Sequence, residues 1–280
     1  MCPANSYCMA ANPDWGSHPR AFSRLVADLA PNEVAFRTAL ASAKPAARRY
    51  VVLFSPRSGS TWLSLVLAGT GLLGRPLEYI HPDQVVGHAR AAGTTDPAGL
   101  LAVLLRQRQT PNGVFGIKAR ALDILLFGEA AFFAELGDDA AYFCLWRENI
   151  VAQGVSLYRA VASGRWHSYD AARPPPQYDA AAISHWISQV AEVEHANEQF
   201  LCRHGIHAQR LRYEILVPDR HTAIAIFATA LGVTIPPIAL TIMRTLAAVS
   251  DDWNQATEER FRSEYPEMIA ALESRRAHQL

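Results

Sequence analysis

Residues 50–61 read YVVLFSPRSGST, and this short segment indicates the fold class. Its first part, Tyr50–Phe54, is a continuous run of β-branched, aliphatic and aromatic side chains, which is typical of a strand buried on both faces. The polar turn Ser55–Ser60 follows, and a helical pattern of apolar residues then runs from Thr61 to Gly71. The segment therefore predicts a buried strand, a short polar loop and a helix, in that order.

Apolar runs and helical patterns continue to alternate along the rest of the chain. Further buried strands are predicted at Gly113–Lys118, Ala141–Trp146 and Ala208–Tyr213. Helices are predicted at Pro97–Gln107, Ile150–Ser163, Ala180–His204, Thr222–Leu231 and Thr257–Arg275. This alternation predicts an α/β fold with a parallel sheet and helices on both faces. Residues 1–49 read differently and are predicted to form an N-terminal helical extension of two short helices.

The composition excludes several classes of protein. The sequence has 26 Lys and Arg against 26 Asp and Glu, and 50% of its residues are hydrophobic. It is too apolar to be disordered, and it lacks the basic field that attracts nucleic acid or an anionic membrane. No apolar stretch reaches the ~18 residues that a membrane helix needs. A bound anion would therefore be held by a few well-placed groups.

The N-terminus and the cysteines predict a cytoplasmic protein. Residues 1–19 lack the basic region and apolar core of a secretory signal. The cysteines (Cys2, Cys8, Cys144 and Cys202) are scattered and form no CxxC pair. This spacing is typical of reduced thiols in a cytosol and offers no metal framework, so we expect no metal site.

The loop after the first strand has the chemistry of an anion-binding site. Free backbone N–H groups and the helix dipole face such a loop. Gly59 permits a close approach of the backbone to a ligand. Ser58, Ser60 and Thr61 add hydroxyl donors, and Arg57 adds a cation with a planar fork of donors. The alternative is an ordinary serine-rich turn that caps the helix.

This loop departs from the P-loop pattern GxxxxGK[ST] of nucleotide triphosphatases. When Gly59 is placed on the second glycine, Phe54 falls on the first glycine and Ser60 falls on the lysine. The missing lysine, and the lack of an obvious metal-holding Asp, weigh against Mg²⁺-dependent hydrolysis of ATP or GTP. A sulfuryl group carries less charge than a terminal phosphoryl group, so its transfer can proceed with an Arg or Lys and no metal.

Several segments together resemble one known family. PRSGSTWL, GRPLEY, TPNGVFGIK, WRENIVAQGVSLYRAVASGRW and SDDW occur in this order between about residue 50 and residue 253, and this combination resembles the Stf0-type bacterial sulfotransferases. The resemblance implies a P-loop-like three-layer fold, with residues 50–280 as the sulfotransferase domain. It also implies the donor 3′-phosphoadenosine 5′-phosphosulfate (PAPS), the product 3′,5′-ADP, an acceptor hydroxyl that is usually on a carbohydrate, and a homodimer. The acceptor itself stays open, whether a small molecule, a glycan or a glycolipid.

The resemblance implies roles in donor binding. The loop from Arg57 to Thr61 would surround the 5′-phosphosulfate, and Trp62 would stack on the adenine. Arg147, which follows the third strand, and Ser156, on the next helix, would bind the 3′-phosphate, for which an arginine fork and a hydroxyl are suited. Without the resemblance, Arg147 reads as an ion-pair partner of Glu148, and Ser156 reads as a helix serine bonded to the preceding turn.

The resemblance also implies roles in catalysis. Glu78 would be the general base that accepts the acceptor's proton; its alternative is a surface ion pair with Arg75. His81 is a rival base, because its pKa suits the task. Lys118 and Arg57 would stabilise the charge on the bridging oxygen as it leaves; the alternative for Lys118 is a lysine that ends a strand in solvent. Trp166 would form the floor of the acceptor site.

Two other functions stay open from the sequence. A P-loop-type kinase or NTPase would bind ATP with Mg²⁺, and a non-catalytic nucleotide-binding module would bind nucleotide without turnover. The first is disfavoured by the missing lysine, and the second is disfavoured, more weakly, by the presence of Glu78, Lys118 and Arg147. The cations that follow or end separate strands are expected to converge at the carboxyl edge of the sheet.

Overall fold

The computed structural model describes residues 17–166, 170–236 and 251–277. Its strands are β1 (Arg48–Phe54), β2 (Val114–Ala119), β3 (Ala141–Trp146) and β4 (Ala208–Arg212). The helices before β3 are α1 (Phe22–Leu25), α2 (Glu33–Ala41), α3 (Ser60–Gly69), α4 (Pro82–Ala92), α5 (Pro97–Gln107), α6 (Ala121–Phe127) and α7 (Glu129–Leu136). Those after β3 are α8 (Ile150–Ser163), α9 (Ala180–Arg203), α10 (Tyr213–Leu216), α11 (Arg220–Leu231), α12 (Asp252–Glu264) and α13 (Pro266–Ala277).

The four strands form one parallel sheet in the order β2-β1-β3-β4. Leu53 of β1 lies opposite Ala119 of β2 on one side and Cys144 of β3 on the other. Because all the strands run in one direction, their carboxyl ends meet at the same edge, and ligands of open α/β sheets bind at that edge. The predicted parallel α/β sheet is confirmed.

Helices cover both faces of this sheet. Side chains alternate along a strand, so Val51 and Leu53 enter one core with side chains from α5, α7 and α9. Tyr50 and Val52 enter a second core with side chains from α3 and α11. The predicted arrangement of three layers is therefore confirmed.

The N-terminal helices pack on the main core. Phe22 of α1 and Ala39 of α2 belong to the same buried cluster as Leu53 of β1. β1 itself begins at Arg48, whose N–H donates to the carbonyl of Gly113 at 3.0 Å. The division of the chain after residue 49 stays a prediction, but two short helices do precede the first strand.

The last predicted helix and the state of one cysteine differ from the predictions. The single helix predicted at 257–275 is two helices, α12 and α13, and the break falls before Pro266. Proline lacks an N–H and is tolerated at the start of a helix rather than inside one. The expectation of reduced cysteines is wrong for Cys202, which is disulfide-bonded. Cys144 is free, and burial raises the pKa of its thiol to about 12.

Candidate functional site

The loop between β1 and α3 lies at the carboxyl edge of the sheet and has an unusual backbone. Arg57 has φ 64° and Gly59 has φ 86°. Arg57 is the one non-glycine residue with a positive φ in the described segments, and such a conformation costs about 1–2 kcal/mol. α3 begins directly afterwards at Ser60, so its first N–H groups face this loop. The loop thus has the backbone of an anion cradle.

Tyr213 closes one side of this loop and explains why residue 59 is glycine. A Cβ atom on Gly59 would lie 2.5 Å from Cδ2 of Tyr213. The same ring lies against Arg147, whose guanidinium carbon is 4.8 Å from the ring centre. The sequence analysis missed Tyr213, which it counted as the last residue of the fourth strand. The residue instead begins α10.

Arg57 links the loop to α8 and to the segment after it. Its Nε donates to Oγ of Ser156 at 3.0 Å, and its NH1 donates to the carbonyl of Trp166 at 2.6 Å. Burial lowers the pKa of Arg57, and the nearby charge of Arg147 lowers it further. A bound anion would reduce the repulsion between these two guanidinium groups.

Lys118 and Glu78 form an ion pair on the other side of the loop. Nζ of Lys118 lies 3.1 Å from Oε1 of Glu78 and donates to Oγ of Ser60 at 3.4 Å. The lysine side chain is 5% exposed and the glutamate side chain is 34% exposed. Burial lowers the pKa of Lys118, while Glu78 opposes that shift. Glu78 therefore pairs with a buried lysine, and the alternative surface pair with Arg75 is not formed among the described residues.

The N–H of Lys118 also donates to the carbonyl of Leu77 at 3.1 Å. This backbone bond connects the strand that carries the lysine to the residue before Glu78. Leu77 forms a parallel bridge with Ile117 of β2. The segment that carries the carboxylate is therefore held at the sheet by main-chain bonds, while the side chain stays partly exposed to solvent.

His81 has a structural task. It is the N-cap of α4, and its Nδ1 accepts a hydrogen bond from the N–H of Asp83 at 3.2 Å. One ring nitrogen is therefore already engaged in capping a helix. Its Nδ1 is therefore not free to accept a proton without loss of this cap.

The remaining predicted residues lie around the same edge. Trp62 is partly buried and packs against the core formed by α3 and α11. Trp166 is 43% exposed and joins the site through its carbonyl, as described above. Arg147 does not form the alternative pair with Glu148 among the described residues. Its Nε lies 3.9 Å from Oε1 of Glu214, while Glu148 pairs with Arg212.

Two buried donor atoms at this edge lack a hydrogen-bond partner among the described residues. They are Oγ of Ser58 in the loop and Nε of Arg147 after β3. A buried donor left unpaired costs about 1–3 kcal/mol. Both atoms can donate a hydrogen bond, so the donor set fits an anionic ligand with more than one charged group.

The end of the family-like segment contacts α8 rather than the loop. Arg159 donates to both carboxylate oxygens of Asp251, at 2.6 and 2.7 Å, and its guanidinium lies 5.5 Å from the ring centre of Trp253. Ser250, the first residue of SDDW, lies outside the described residues. Asp251 and Trp253 therefore brace the helix that carries Ser156.

Comparison with known proteins gives a consistent result. The family model described as Stf0 sulphotransferase matches residues 49–264. Trehalose 2-sulfotransferase of Mycobacterium tuberculosis is 27% identical over 80% of this chain and 97% of that protein. The protein of the same name from Mycolicibacterium smegmatis is 25% identical over 65% of this chain and 84% of that protein.

Solved structures give only a weak match. The sulfotransferase domain from the curacin biosynthetic pathway is 14% identical, with a TM-score of 0.46 over 74% of this chain and 82% of that chain. A TM-score of this size carries no weight for the fold, which follows from the strands and helices described above. Among those helices, none combines the length and apolar character needed to cross a membrane.

Proposed function

This chain belongs to the Stf0 sulphotransferase family, and on that premise we propose that it transfers the sulfuryl group of PAPS to a hydroxyl of a carbohydrate. The observation that carries the proposal is the ion pair of the buried Lys118 with the partly exposed Glu78, at 3.1 Å. The pair brings together a cation, which can bind an anionic donor, and a carboxylate, which can accept the proton of a hydroxyl acceptor. The pair lies beside Ser60 of the anion-binding loop.

Donor binding is assigned to three groups of residues. The loop Arg57–Thr61 binds the 5′-phosphosulfate through its N–H groups, its hydroxyls and Arg57. Arg147 and Ser156 bind the 3′-phosphate. The unpaired Oγ of Ser58 and Nε of Arg147 support this assignment, since each supplies a donor without breaking an existing bond. Trp62 is the candidate for contact with the adenine.

The chemistry is an in-line displacement at sulfur. The acceptor oxygen forms a bond to sulfur while the bond from sulfur to the bridging oxygen of the phosphosulfate breaks. The acceptor's proton passes to Glu78, and the electron pair leaves with 3′,5′-ADP. Lys118 and the loop N–H groups stabilise the charge that accumulates on the leaving oxygen. Balancing these charges needs no metal ion.

The acceptor class is proposed from two observations. The two curated relatives reported above are named for the transfer of sulfate to trehalose, a sugar. Trp166 is partly exposed and its carbonyl is bonded to Arg57, so an exposed aromatic residue lies next to the donor loop. We assign a carbohydrate, free or on a lipid, as acceptor. Trehalose itself is not assigned, because the two relatives are only 27% and 25% identical to this chain.

The test is donor binding followed by turnover. Isothermal titration should show that the purified protein binds 3′,5′-ADP, and that Arg147→Ala weakens this binding by about tenfold or more. Radiolabelled PAPS incubated with carbohydrate extracts should yield a labelled product that mass spectrometry identifies.

Three other results would each overturn part of the proposal. Failure to bind 3′,5′-ADP would remove the donor assignment. Binding of ATP that needs Mg²⁺ would instead support a kinase or NTPase. Binding of 3′,5′-ADP without turnover on any extract would support a non-catalytic nucleotide-binding module.

A further inference from the structure

A buried ion pair lies behind the two elements that are assigned to the donor. Nε of Arg276, in α13, lies 2.8 Å from Oε2 of Glu194, in α9. Both side chains are almost fully buried, with 7% and 6% exposed. Arg276 lies beyond residues 49–264, the segment that the family model matches. The role of this buried arginine must therefore be derived from its contacts in this chain.

The arginine holds the backbone at the end of β3. Its NH2 donates to the carbonyl of Arg147 at 2.6 Å, and its NH1 donates to the carbonyl of Glu148 at 2.8 Å. One planar guanidinium thus binds a carboxylate and two consecutive carbonyls at the same time. These bonds restrict the backbone from which the Arg147 side chain extends.

The glutamate holds the loop after β1. Its Oε1 accepts a hydrogen bond from Oγ of Ser55, the first residue of that loop, at 3.2 Å. Nε2 of Gln153 donates to the same Oγ at 2.8 Å and to the carbonyl of Pro56 at 2.6 Å. The Glu194 carboxylate is therefore connected to the anion-binding loop on one side and to Arg276 on the other.

We infer that Arg276 is a positioning residue that sets Arg147 relative to the loop and so determines how strongly the protein selects nucleotides with a 3′-phosphate. This inference rests on the proposed function, because it assumes that the loop and Arg147 bind two ends of one nucleotide. The Arg147 side chain lies against the Tyr213 ring and 3.9 Å from Glu214, but its Nε donates no hydrogen bond within the described chain, so its position also depends on the backbone that Arg276 holds. An arginine with a mobile backbone would bind a phosphate less selectively.

The test compares two nucleotides that differ only in the 3′-phosphate. The variants are Arg276→Lys, which keeps a charge for Glu194 but loses the planar fork, and Arg276→Gln. The matched control is Arg275→Gln, which changes an exposed neighbour on the same helix. For each protein the dissociation constants of 3′,5′-ADP and 5′-AMP are measured by titration, and the melting temperature reports folding.

Selectivity is the ratio of the 5′-AMP constant to the 3′,5′-ADP constant. We expect it to fall about tenfold in both Arg276 variants, chiefly through weaker 3′,5′-ADP binding, and to stay unchanged in the control. Should Arg276→Gln fail to fold, Arg276→Lys decides alone. A folded variant that keeps the wild-type selectivity, or that binds both nucleotides more weakly by the same factor, would overturn the inference. Wild-type protein that does not bind 3′,5′-ADP would instead overturn the proposed function.

Discussion

Lys118 Nζ lies 3.1 Å from Oε1 of Glu78, and the lysine is nearly buried while the glutamate is about one-third exposed. The pair therefore has an inner end, which faces Ser60 of the loop, and an outer end, which is open to solvent. A donor that arrives at the loop would compete for the lysine. An acceptor that arrives from solvent would meet the carboxylate first.

The base assignment predicts a large effect at Glu78 and a small one at His81. Glu78→Gln keeps an oxygen for Lys118 but cannot accept the proton, so kcat should fall about 10²–10⁴-fold. His81→Asn removes the imidazole but keeps a good helix cap, so kcat should stay near the wild-type value. Steady-state assays with labelled PAPS measure both. The opposite pattern would assign the base to His81.

Lys118→Met should affect the chemical step more than product binding. Loss of the charge next to the leaving oxygen should lower kcat about 10²–10³-fold. The dissociation constant of 3′,5′-ADP should change less, because that product lacks the sulfuryl group. Lys44→Met, at the exposed other lysine of the sequence, is the control. Equal losses in kcat and in 3′,5′-ADP binding would show that Lys118 only binds nucleotide.

Ser58→Ala should separate stability from binding. The Ser58 hydroxyl is buried without a partner, so its removal should leave the free energy of unfolding unchanged or raise it by up to ~1 kcal/mol. Binding of 3′,5′-ADP should weaken. Ser64→Ala is the control, because Oγ of Ser64 donates to the carbonyls of Ser60 and Pro76 at 2.9 and 2.6 Å.

The control should lose about 1 kcal/mol of stability and keep its affinity. Urea unfolding and nucleotide titration measure the two effects. A loss of stability in Ser58→Ala, with unchanged affinity, would contradict the assignment of its hydroxyl to the donor.

Gly59→Ala should abolish donor binding. The new Cβ would clash with Tyr213, and the residue would also have to adopt φ 86°. Gly71→Ala provides the comparison, since that residue has φ 67° but no atom within 4 Å of the added Cβ. The control has the backbone strain of about 1 kcal/mol but no clash, so the difference between the two variants reports the clash alone. Equal binding of 3′,5′-ADP by the two variants would mean that the Tyr213 contact is unimportant.

Asp251→Asn should change the pH dependence of stability. Hydrogen bonds from Arg159 lower the pKa of Asp251. A carboxyl group whose pKa is lowered by folding stabilises the protein above its unfolded pKa of about 3.9 and loses that contribution as the pH falls through the folded value. The melting temperature of the variant should therefore be lower than that of wild type at pH 7, and the difference between the two should disappear in acid. Asp252→Asn, at the exposed neighbouring position, is the control; a gap that persists in acid would argue against the ion pair.

Local patterns predicted most of the sheet and several helices. The bounds of β3, α5 and α8 agree with those expected, because each element coincides with an uninterrupted apolar run or helical period. α4 was missed, although His81 and Pro82 mark its start. This helix has only two large apolar side chains, Val85 and Val86, so the local signal was carried by the cap alone.

The sequence by itself determined which strand carries each candidate side chain. A polar loop follows the first strand, a lysine lies in the second, and an arginine follows the third. These assignments depend on neighbours in the chain and on the rule that parallel strands end at one edge. The pairs that make the site are another matter. Arg57 with Ser156, Lys118 with Glu78, and Arg276 with Glu194 join residues far apart in the chain. Only tertiary packing decides which side chains come into contact. A buried charge or polar group is costly unless it is paired, so each one pairs with the partner that the fold places beside it.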